Sequence, residues 1–585
     1  MRSKMRIKSA VIARRPKADE AICFKTRLLR HVLCCLAMTM VAVTPLASAS
    51  GSSVKILEEM PVQHNGRIKP FQSFAREASL AVTGRYKFKG MNAPELVWRW
   101  LTEPEVWNAK PFLPAAYKPL AGDFGLMIIE GRVSPEVALG HESFLEKVRE
   151  AQARRERKEK LTLLDEKRLE LYDRASLFRE VAGGKIPGWI AHPEDPRAGW
   201  APFASFAAPD AQATLAAHFP AENLSDMIAS VTKLLGSVQK NGLGENSIPA
   251  AKTFTASQKA LFEARGVYVD EDLIRRELMY NRVHPFGWAW KLYLLALVLS
   301  AIFAPAQKFK QVWLPFFAAG FILHTFGFYM RCTIAGRPPV TNMYESIIWV
   351  SWGAVFFAAV LYAIHRAKAL PLAASAVAAI ALLLADGFPV LLDASITPLV
   401  PVLRSNFWLT IHVLTITLSY AAFALAWGLG HAAVVGFAFG RPGAEWPQHM
   451  TQQVYRAMQI GVILLASGTV LGGVWANYSW GRFWGWDPKE TWALIALLGY
   501  LAVLHGRFAG WLGTFGLAAG SVVCFLSVVM AWYGVNFVLA AGLHSYGFGG
   551  GGAGYVFAVA LADLAFTGAC AAVYRRKVQP VSKAA

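Results

Sequence analysis

The stretch "WGRFWGWDPKETW", Trp480 to Trp492, contains four tryptophans, one phenylalanine and a short charged run. Aromatic side chains gather at membrane–water interfaces, so one interpretation is a belt that anchors the chain in a membrane. The other interpretation is a platform for a flat ligand, because clustered rings offer a large apolar area. The candidate binding residues of such a platform are Trp480, Trp484, Trp486, Asp487 and Trp492.

Two histidines bracket this stretch in the sequence. His412 lies in "SNFWLTIHVLTITLSY" and His544 lies in "AAGLHSYGFGGGG". A neutral imidazole is a common metal ligand, and one imidazole on each face of a macrocycle saturates a haem iron. The pair therefore predicts haem binding, provided that the fold brings both histidines to the tryptophans. His505 ends an apolar run and is either a further ligand or a residue of the membrane interface.

The composition requires a membrane. The chain has 585 residues, of which 55% are hydrophobic, and its mean hydropathy of +0.35 is too high for an ordinary soluble protein. The net charge of +20 comes from basic residues at the N-terminus and in short loops between apolar runs. The positive-inside rule accounts for that pattern, so nucleic-acid binding is excluded. The six cysteines form no C-x-x-C pair, which argues against redox chemistry by this chain.

The last part of the chain, residues 288–585, consists mostly of apolar runs long enough to cross a bilayer. The sequence therefore predicts an all-α polytopic membrane protein with about nine transmembrane helices. The runs cover residues 288–306, 312–330, 343–363, 370–388, 408–435, 457–475, 491–505, 512–533 and 555–573.

The N-terminal part predicts export. Residues 1–49 hold a basic region, the apolar core "VLCCLAMTMVAV" and "TPLASAS", the pattern of a signal sequence that is either cleaved or kept as an anchor. Residues 50–287 are then an extracytoplasmic, mainly helical domain. Within it, "EEMPVQHNGRIKPFQSFAREA" indicates an extended segment that runs into a helix, and Ser143 to Val181 indicates helix with a break inside.

The loop charges fix the predicted orientation. Basic residues follow the odd-numbered apolar runs, as in "HRAK" after the third and "YRRK" after the ninth. These runs then end in the cytoplasm and the even-numbered ones end outside. The tryptophan-rich stretch, His412 and His544 fall on the outer side, whereas His505 falls on the inner side. Three other histidines of the membrane part, His324, His431 and His449, are predicted to be structural.

With these residues in view, the stretch Trp475 to Arg507 resembles the WWD signature of haem-handling membrane proteins. Its continuous "WDPKETWALI" is similar to the CcsA (ResC) type of system II cytochrome c biogenesis. The stretches "GRPPVTNMYESIIWVSW", "IHVLTITLSYAAF" and "GLHSYGF" agree with that family. The resemblance covers roughly residues 320–550, inside a CcsA-like membrane domain at 288–585 with the WWD motif at 475–492.

The resemblance implies a function and a set of partners. Haem b, held transiently and without a covalent bond, would be ligated by His412 and His544 on the outer face, and His505 would belong to an inner haem site. A ResB/CcsB-like membrane protein would be the partner, and the complex, a cytochrome c synthetase, would attach haem to the CxxCH motif of apocytochrome c. The setting would be the bilayer of a bacterial inner membrane, with the WWD loop and residues 50–287 in the periplasm.

Two alternatives remain open at this point. A system I haem handler would pass haem to a haem chaperone, and a non-haem transporter would export a small solute. Two details of the loop are also predicted. Asp487, Lys489 and Glu490 favour capping of the helix that follows over direct contact with haem, with Pro488 in its first turn. Arg404 or Arg482 would meet a haem propionate.

Overall fold

The computed structural model describes residues 52–192, 194–195, 198–303, 311–398, 407–539 and 552–582. The described residues form two large hydrophobic cores. One joins side chains from Val54 to Leu261, and the other joins side chains from Phe286 to Val528. The first core belongs to the region called here the N-terminal domain, and the second belongs to the bundle of long apolar helices.

The N-terminal domain is mainly helical and contains short strands. Its helices are α1 Ser52–Glu58, α2 Phe71–Thr83, α3 Ala93–Thr102, α4 Pro104–Ala109, α5 Ala121–Phe124, α6 Pro135–Gly140, α7 Glu142–Glu156, α8 Leu163–Ala182, α9 Pro209–His218, α10 Ala221–Asn241, α11 Ile248–Glu263 and α12 Glu271–Val283. Its strands are β1 Pro61–His64, β2 Arg67–Pro70, β3 Lys87–Phe88, β4 Met91–Asn92, β5 Leu113–Pro114, β6 Arg132–Val133, β7 Gly188–Ile190 and β8 Ala201–Pro202. Four strands form an antiparallel sheet in the order β2-β1-β7-β8.

The predicted extended segment is a hairpin. Strands β1 and β2 pair antiparallel, and Asn65 and Gly66 connect them with positive φ angles of 51° and 71°. Asn-Gly is the dipeptide that tolerates this left-handed backbone, which matches the twist of paired strands. Strand β2 then runs directly into α2, as the sequence predicted.

The predicted break in the charged helical segment is confirmed. Helix α7 ends at Glu156 and α8 begins at Leu163. The new start is encoded by Thr162, whose hydroxyl accepts a hydrogen bond from the backbone N–H of Asp165, while the Asp165 carboxylate accepts one from the N–H of Thr162. Such a reciprocal cap satisfies donors that a helix start otherwise leaves without partners.

The bundle is built from nine long helices of the described residues and one π-helical segment. They are α13 Pro285–Phe303, α14 Leu314–Ala335, α15 Met343–His365, α16 Ala369–Gly387, α17 Phe407–Phe439, α18 Trp446–Trp480, α19 Pro488–Phe508, α20 Thr514–Val529, the π-helix Met530–Leu539 and α21 Ala553–Ser582. Eight helices of the described part are long and apolar enough to cross a membrane, and α14 is not among them. The predicted class, an all-α polytopic membrane protein, is confirmed.

Helix α14 corresponds to the second predicted span. It has 22 residues, which is long enough to cross, but it carries His324 and Arg331, which lower its hydropathy. Both side chains are fully buried inside the protein. Packing within the bundle therefore accommodates the polar residues that lower the apolar signal of this helix.

The helices alternate in direction along the chain. The first residues of α15, α17 and α19 consequently lie at the same end of the bundle as the last residues of α14, α16 and α18. The N-terminal domain contacts the bundle at this end, which we call the domain end. There Arg67 of strand β2 pairs with Glu277 and donates from Nε to the carbonyl of Ile396 at 3.0 Å.

Two further arginines hold the same loop, which follows α16. Arg331 donates from Nη1 to the carbonyl of Ala394 at 2.9 Å, and Arg337 donates from Nη2 to the carbonyl of Thr397 at 2.8 Å. The side chains of Arg67, Arg331 and Arg337 thus donate hydrogen bonds to the carbonyls of residues 394–397. We call this arrangement the arginine bracket. A loop held by charged donors on several successive carbonyls is fixed relative to all the elements that supply them.

Candidate functional site: a histidine and tryptophan cavity at the domain end

A row of glycines on α18 sets the position of α17. An added Cβ at Gly461 would stand 2.4 Å from the Phe423 ring, and one at Gly468 would stand 2.9 Å from the backbone of Ile416. Gly468 and Gly472 form a G-x-x-x-G pair on one helix face, a spacing that allows two membrane helices to approach closely. The glycines therefore bring the backbone of α17, with its early residue His412, directly against α18.

His412 is held by this contact. Its Nδ1 lies 2.7 Å from the carbonyl oxygen of Gly468, and an added Cβ at Gly472 would lie 2.6 Å from its Cε1. Because a carbonyl only accepts, Nδ1 carries a proton and donates it, so the neutral form of the ring has its lone pair on Nε2. Trp475 stacks parallel to the imidazole with ring centroids 6.4 Å apart and planes 7° apart. Histidines that bind metals are commonly oriented by a hydrogen bond of this kind from the other nitrogen.

His412 lines a cavity of about 260 Å³ at the domain end. Its walls come from the loop before α15, the first turns of α17 and α19, the end of α18 and the π-helix. Trp475, Phe483, Trp484 and Trp532 contribute large rings to the lining. Apolar and aromatic walls with a few directed polar groups are typical of sites for small molecules and cofactors. One imidazole beside several rings suits a flat macrocycle that carries a metal.

The tryptophan-rich loop is shaped by a capping box. Asp487 accepts from the N–H of Lys489 at 3.0 Å, and Glu490 accepts from the N–H groups of Asp487 and Gly485. Arg482 pairs with Glu490 at 3.4 Å and lies over the Trp480 ring. Asp487 is buried and does not line the cavity. The predicted capping role is confirmed for Asp487 and Glu490, with Pro488 in the first turn of α19, whereas Lys489 lines the cavity.

The predicted platform residues occupy different places. Trp484 lines the cavity, whereas Trp480 packs edge-on against Trp475 with centroids 4.6 Å apart and supports the wall from behind. Trp486 is 69% exposed and meets Trp484 edge to face. Trp492, one turn into α19, does not line the cavity. Direct wall contact is thus confined to part of the stretch.

The other predicted ligands lie elsewhere. His544 and Arg404 fall outside the described residues. His505 is exposed near the end of α19, about 25 Å from the start of that helix at 1.5 Å per residue, and its Nδ1 lies 2.8 Å from the carbonyl of Leu501. His505 is therefore at the end of the bundle opposite to His412.

Sequence reasoning missed several lining residues. The π-helix supplies Trp532 and Asn536, and Trp532 donates from Nε1 to the Ser346 hydroxyl at 2.9 Å. The Oδ1 of Asn536 is buried and has no hydrogen-bond partner among the described residues. A lone asparagine in an apolar run, "WYGVNF", is a signal that could have found this wall, since polar residues inside membrane segments usually have a role. π-Helical turns also occur frequently at functional sites.

Comparisons with known proteins address this same part of the chain. The family described as "Cytochrome C assembly protein" matches residues 340–544. The cytochrome c biogenesis protein CcsA of Prochlorococcus marinus (strain MIT 9301) is 31% identical over 306 residues, which are 46% of this chain and 96% of that protein. CcsA of Synechococcus sp. (strain CC9605) is 33% identical over 304 residues, 46% of this chain and 97% of that protein.

The chain belongs to the CcsA family of cytochrome c biogenesis proteins. The predicted family and the predicted process, cytochrome c biogenesis, are confirmed. Similarity also extends beyond the CcsA-like part. Protein NrfI of Wolinella succinogenes is 30% identical over 504 residues, which cover 82% of this chain. Those residues span 53% of NrfI, so this CcsA-family chain corresponds to about half the length of that relative.

Proposed function

We propose that this protein binds haem in the cavity at the domain end and presents it for attachment to cytochrome c. The observation that carries the proposal is the orientation of His412. The hydrogen bond to Gly468 holds the imidazole with its lone pair on Nε2, and the ring lines a cavity walled by Trp475, Phe483 and Trp484. A neutral imidazole in that tautomer is a ligand for haem iron.

The full proposal includes a second ligand and a direction. His544 supplies the opposite axial position, and the iron protoporphyrin is haem b, held without covalent bonds. The domain end is the periplasmic side of a bacterial inner membrane, because the basic "HRAK" and "YRRK" segments lie at the opposite end of the bundle. His505, at that opposite end, belongs to an inner site at which haem enters.

The chemistry of attachment sets what the residues must do. Each cysteine thiol of an apocytochrome CxxCH motif adds across a haem vinyl group and forms a thioether bond. This chain holds the iron and orients the macrocycle, and the two axial histidines are exchangeable, since the histidine of CxxCH replaces one of them. A ResB/CcsB-like membrane protein acts with this chain as the second subunit of the synthetase.

The test is the absorption spectrum of the purified full-length protein. We expect haem to co-purify with a bis-imidazole spectrum, and His412→Gly and His544→Gly each to lose that spectrum. Added imidazole should restore the spectrum, because it replaces the deleted ligand. His449→Gly is the matched control, since His449 is an exposed histidine near the start of α18 at the opposite end. Unchanged haem content and spectrum in both ligand variants would contradict the assignment.

A further inference from the structure

Arg337 is a cavity residue whose hydrogen-bonding capacity is only partly used. Its Nη1 donates to the carboxylate of Glu345 at 3.0 Å and to the carbonyl of Pro338 at 3.3 Å, and its Nη2 donates to Thr397. A guanidinium carries five N–H donors. Among the described residues, therefore, Nε–H and one Nη2–H of Arg337 have no acceptor, and this side chain lines the same cavity as His412.

The charge around Arg337 is unbalanced. Glu345 is fully buried and receives two guanidinium groups, Arg331 on Oε1 at 2.8 Å and Arg337 on Oε2. Two cations share one carboxylate, which leaves one positive charge over. Thr341 adds further donors to Glu345, from its N–H and its hydroxyl, so the carboxylate is satisfied without Arg337.

The rest of the lining does not neutralise that charge. The carboxylate among the cavity residues is Glu490, and it is already engaged by Arg482 and by the N–H groups of Gly485 and Asp487. Lys489 also lines the cavity, and its charge interacts with the carboxylate of Asp487. The excess positive charge at Arg337 therefore suits the described cavity wall to a ligand that is apolar over most of its area and anionic at one edge.

We propose that Arg337 binds a propionate carboxylate of haem, a role that rests on the haem function proposed above. Haem carries two propionates on one edge of a flat apolar ring, and the guanidinium fork matches the geometry of a carboxylate. The vinyl groups lie on other edges of the porphyrin. Arg337 therefore determines which edge faces the wall and turns the reactive vinyls away from it.

This assignment adds Arg337 to the arginines expected from the sequence, of which Arg404 lies outside the described residues. Arg482 is 32% exposed, is paired with Glu490 and lies over the Trp480 ring. Both contacts lie within the tryptophan-rich loop. Arg337 lies in "AGRPPVTN" before α15, a stretch with no charge pattern of its own. The fold places it in the cavity wall, where the carboxylate of the described lining, Glu490, is already engaged by other groups.

The experiment compares haem b with haem b dimethyl ester, in which both propionates are methylated and uncharged. Each compound is titrated into full-length apoprotein in detergent, and binding is followed by the Soret band for wild type, Arg337→Ala, Arg337→Lys and Arg441→Ala. Arg337→Ala leaves Glu345 paired with Arg331, so no buried carboxylate loses its last cation. Arg441 is an exposed arginine between α17 and α18 at the opposite end and serves as the matched control.

We expect Arg337→Ala to weaken haem b binding about ten- to a hundredfold, the range for one charged hydrogen-bonding partner. The dimethyl ester should bind wild type and Arg337→Ala within about threefold of each other, because the lost interaction is absent from both. Arg337→Lys should fall between wild type and Arg337→Ala for haem b, since it keeps the charge without the fork. Arg441→Ala should match wild type for both compounds.

Two results would overturn the assignment. Equal weakening of haem b and its ester by Arg337→Ala would mean that Arg337 acts through the loop or the fold, and no weakening of either would put the propionates elsewhere. If wild type binds neither compound with a His412-dependent Soret band, the proposed function itself fails, and the propionate assignment fails with it.

Discussion

Two regions of the bundle contain a buried or half-buried histidine, and they use it in opposite ways. His324 is fully buried; its Nε2 donates to the carbonyl of Ile348 at 3.0 Å, and Tyr293 approaches its Nδ1 at 3.4 Å. Both nitrogens are thus engaged within the protein. His412 donates from Nδ1 to the carbonyl of Gly468, and its ring lines the cavity at the domain end. The comparison separates a histidine that completes the packing from one that can meet a ligand.

A third histidine, His431, is partly exposed and has both ring nitrogens engaged within the protein. His431 contacts Asp563 of α21 at 2.6 Å through Nε2, and its Nδ1 donates to the carbonyl of Trp427. Asp563 also accepts from Trp427 Nε1. This cluster joins α17 to α21, a helix that is mostly exposed to its surroundings. His431 therefore fastens a peripheral helix.

The largest effect on stability should come from His324. His324→Ala removes two interactions and leaves a void, so we expect a loss of about 3 kcal/mol in the free energy of unfolding. His412→Ala, at the cavity, should cost about 1 kcal/mol or less. Unfolding of both variants in detergent, followed by circular dichroism, measures the difference. Equal losses would erase the distinction between the two regions.

Gly472→Ala should damage the site without touching a ligand. The new Cβ would stand 2.6 Å from Cε1 of His412, so the imidazole must move. Overpacking of this kind costs about 1–3 kcal/mol, and we expect haem content to fall by about tenfold or more. The control is Gly568→Ala, because an added Cβ there meets nothing within 4 Å. Full haem content in Gly472→Ala would mean that the contact with His412 is not needed.

Asp563→Ala should loosen α21 with a smaller effect. It removes the acceptor of both His431 and Trp427, and we expect a loss of about 1–2 kcal/mol. Hydrogen exchange of α21 amides, read by mass spectrometry, should increase while exchange in α18 stays unchanged. An increase spread evenly over both helices would contradict the view of His431 as a local fastener.

The smallest effect is expected in the tryptophan loop. Asp487→Ala removes the cap of α19 and should cost about 1 kcal/mol, whereas Asp487→Asn keeps a capping oxygen and should cost only a few tenths of a kcal/mol. Exchange protection of the first amides of α19 reports both. If haem binding falls to the same degree in Asn and Ala variants, the carboxylate has a role beyond capping.

Local chemistry explains which features the sequence could predict. Residues that are close together in the sequence determine the apolar helices, the helix break before Leu163 and the cap at Asp487. These features were therefore predictable. The hairpin at Asn65 and Gly66 carried an equally local signal that the prediction did not use.

The cavity walls could not be predicted in the same way. Arg337, Asn536 and His412 are far apart in the sequence and meet through helix packing. The glycines that pack against His412 are visible in the sequence as "GTVLGG". Only the packed helices show which side chain lies against each glycine.

The arginine bracket has a mechanical consequence. Arg67 belongs to the N-terminal domain and donates to the carbonyl of Ile396. Arg337 of the cavity wall donates to the next carbonyl along the chain, that of Thr397. The two carbonyls belong to neighbouring peptide planes that meet at the Cα of Thr397, where φ and ψ can rotate. Arg67 and Arg337 each fix one of these planes, so the pair limits rotation at Thr397 and ties the loop to the N-terminal domain on one side and to the cavity wall on the other.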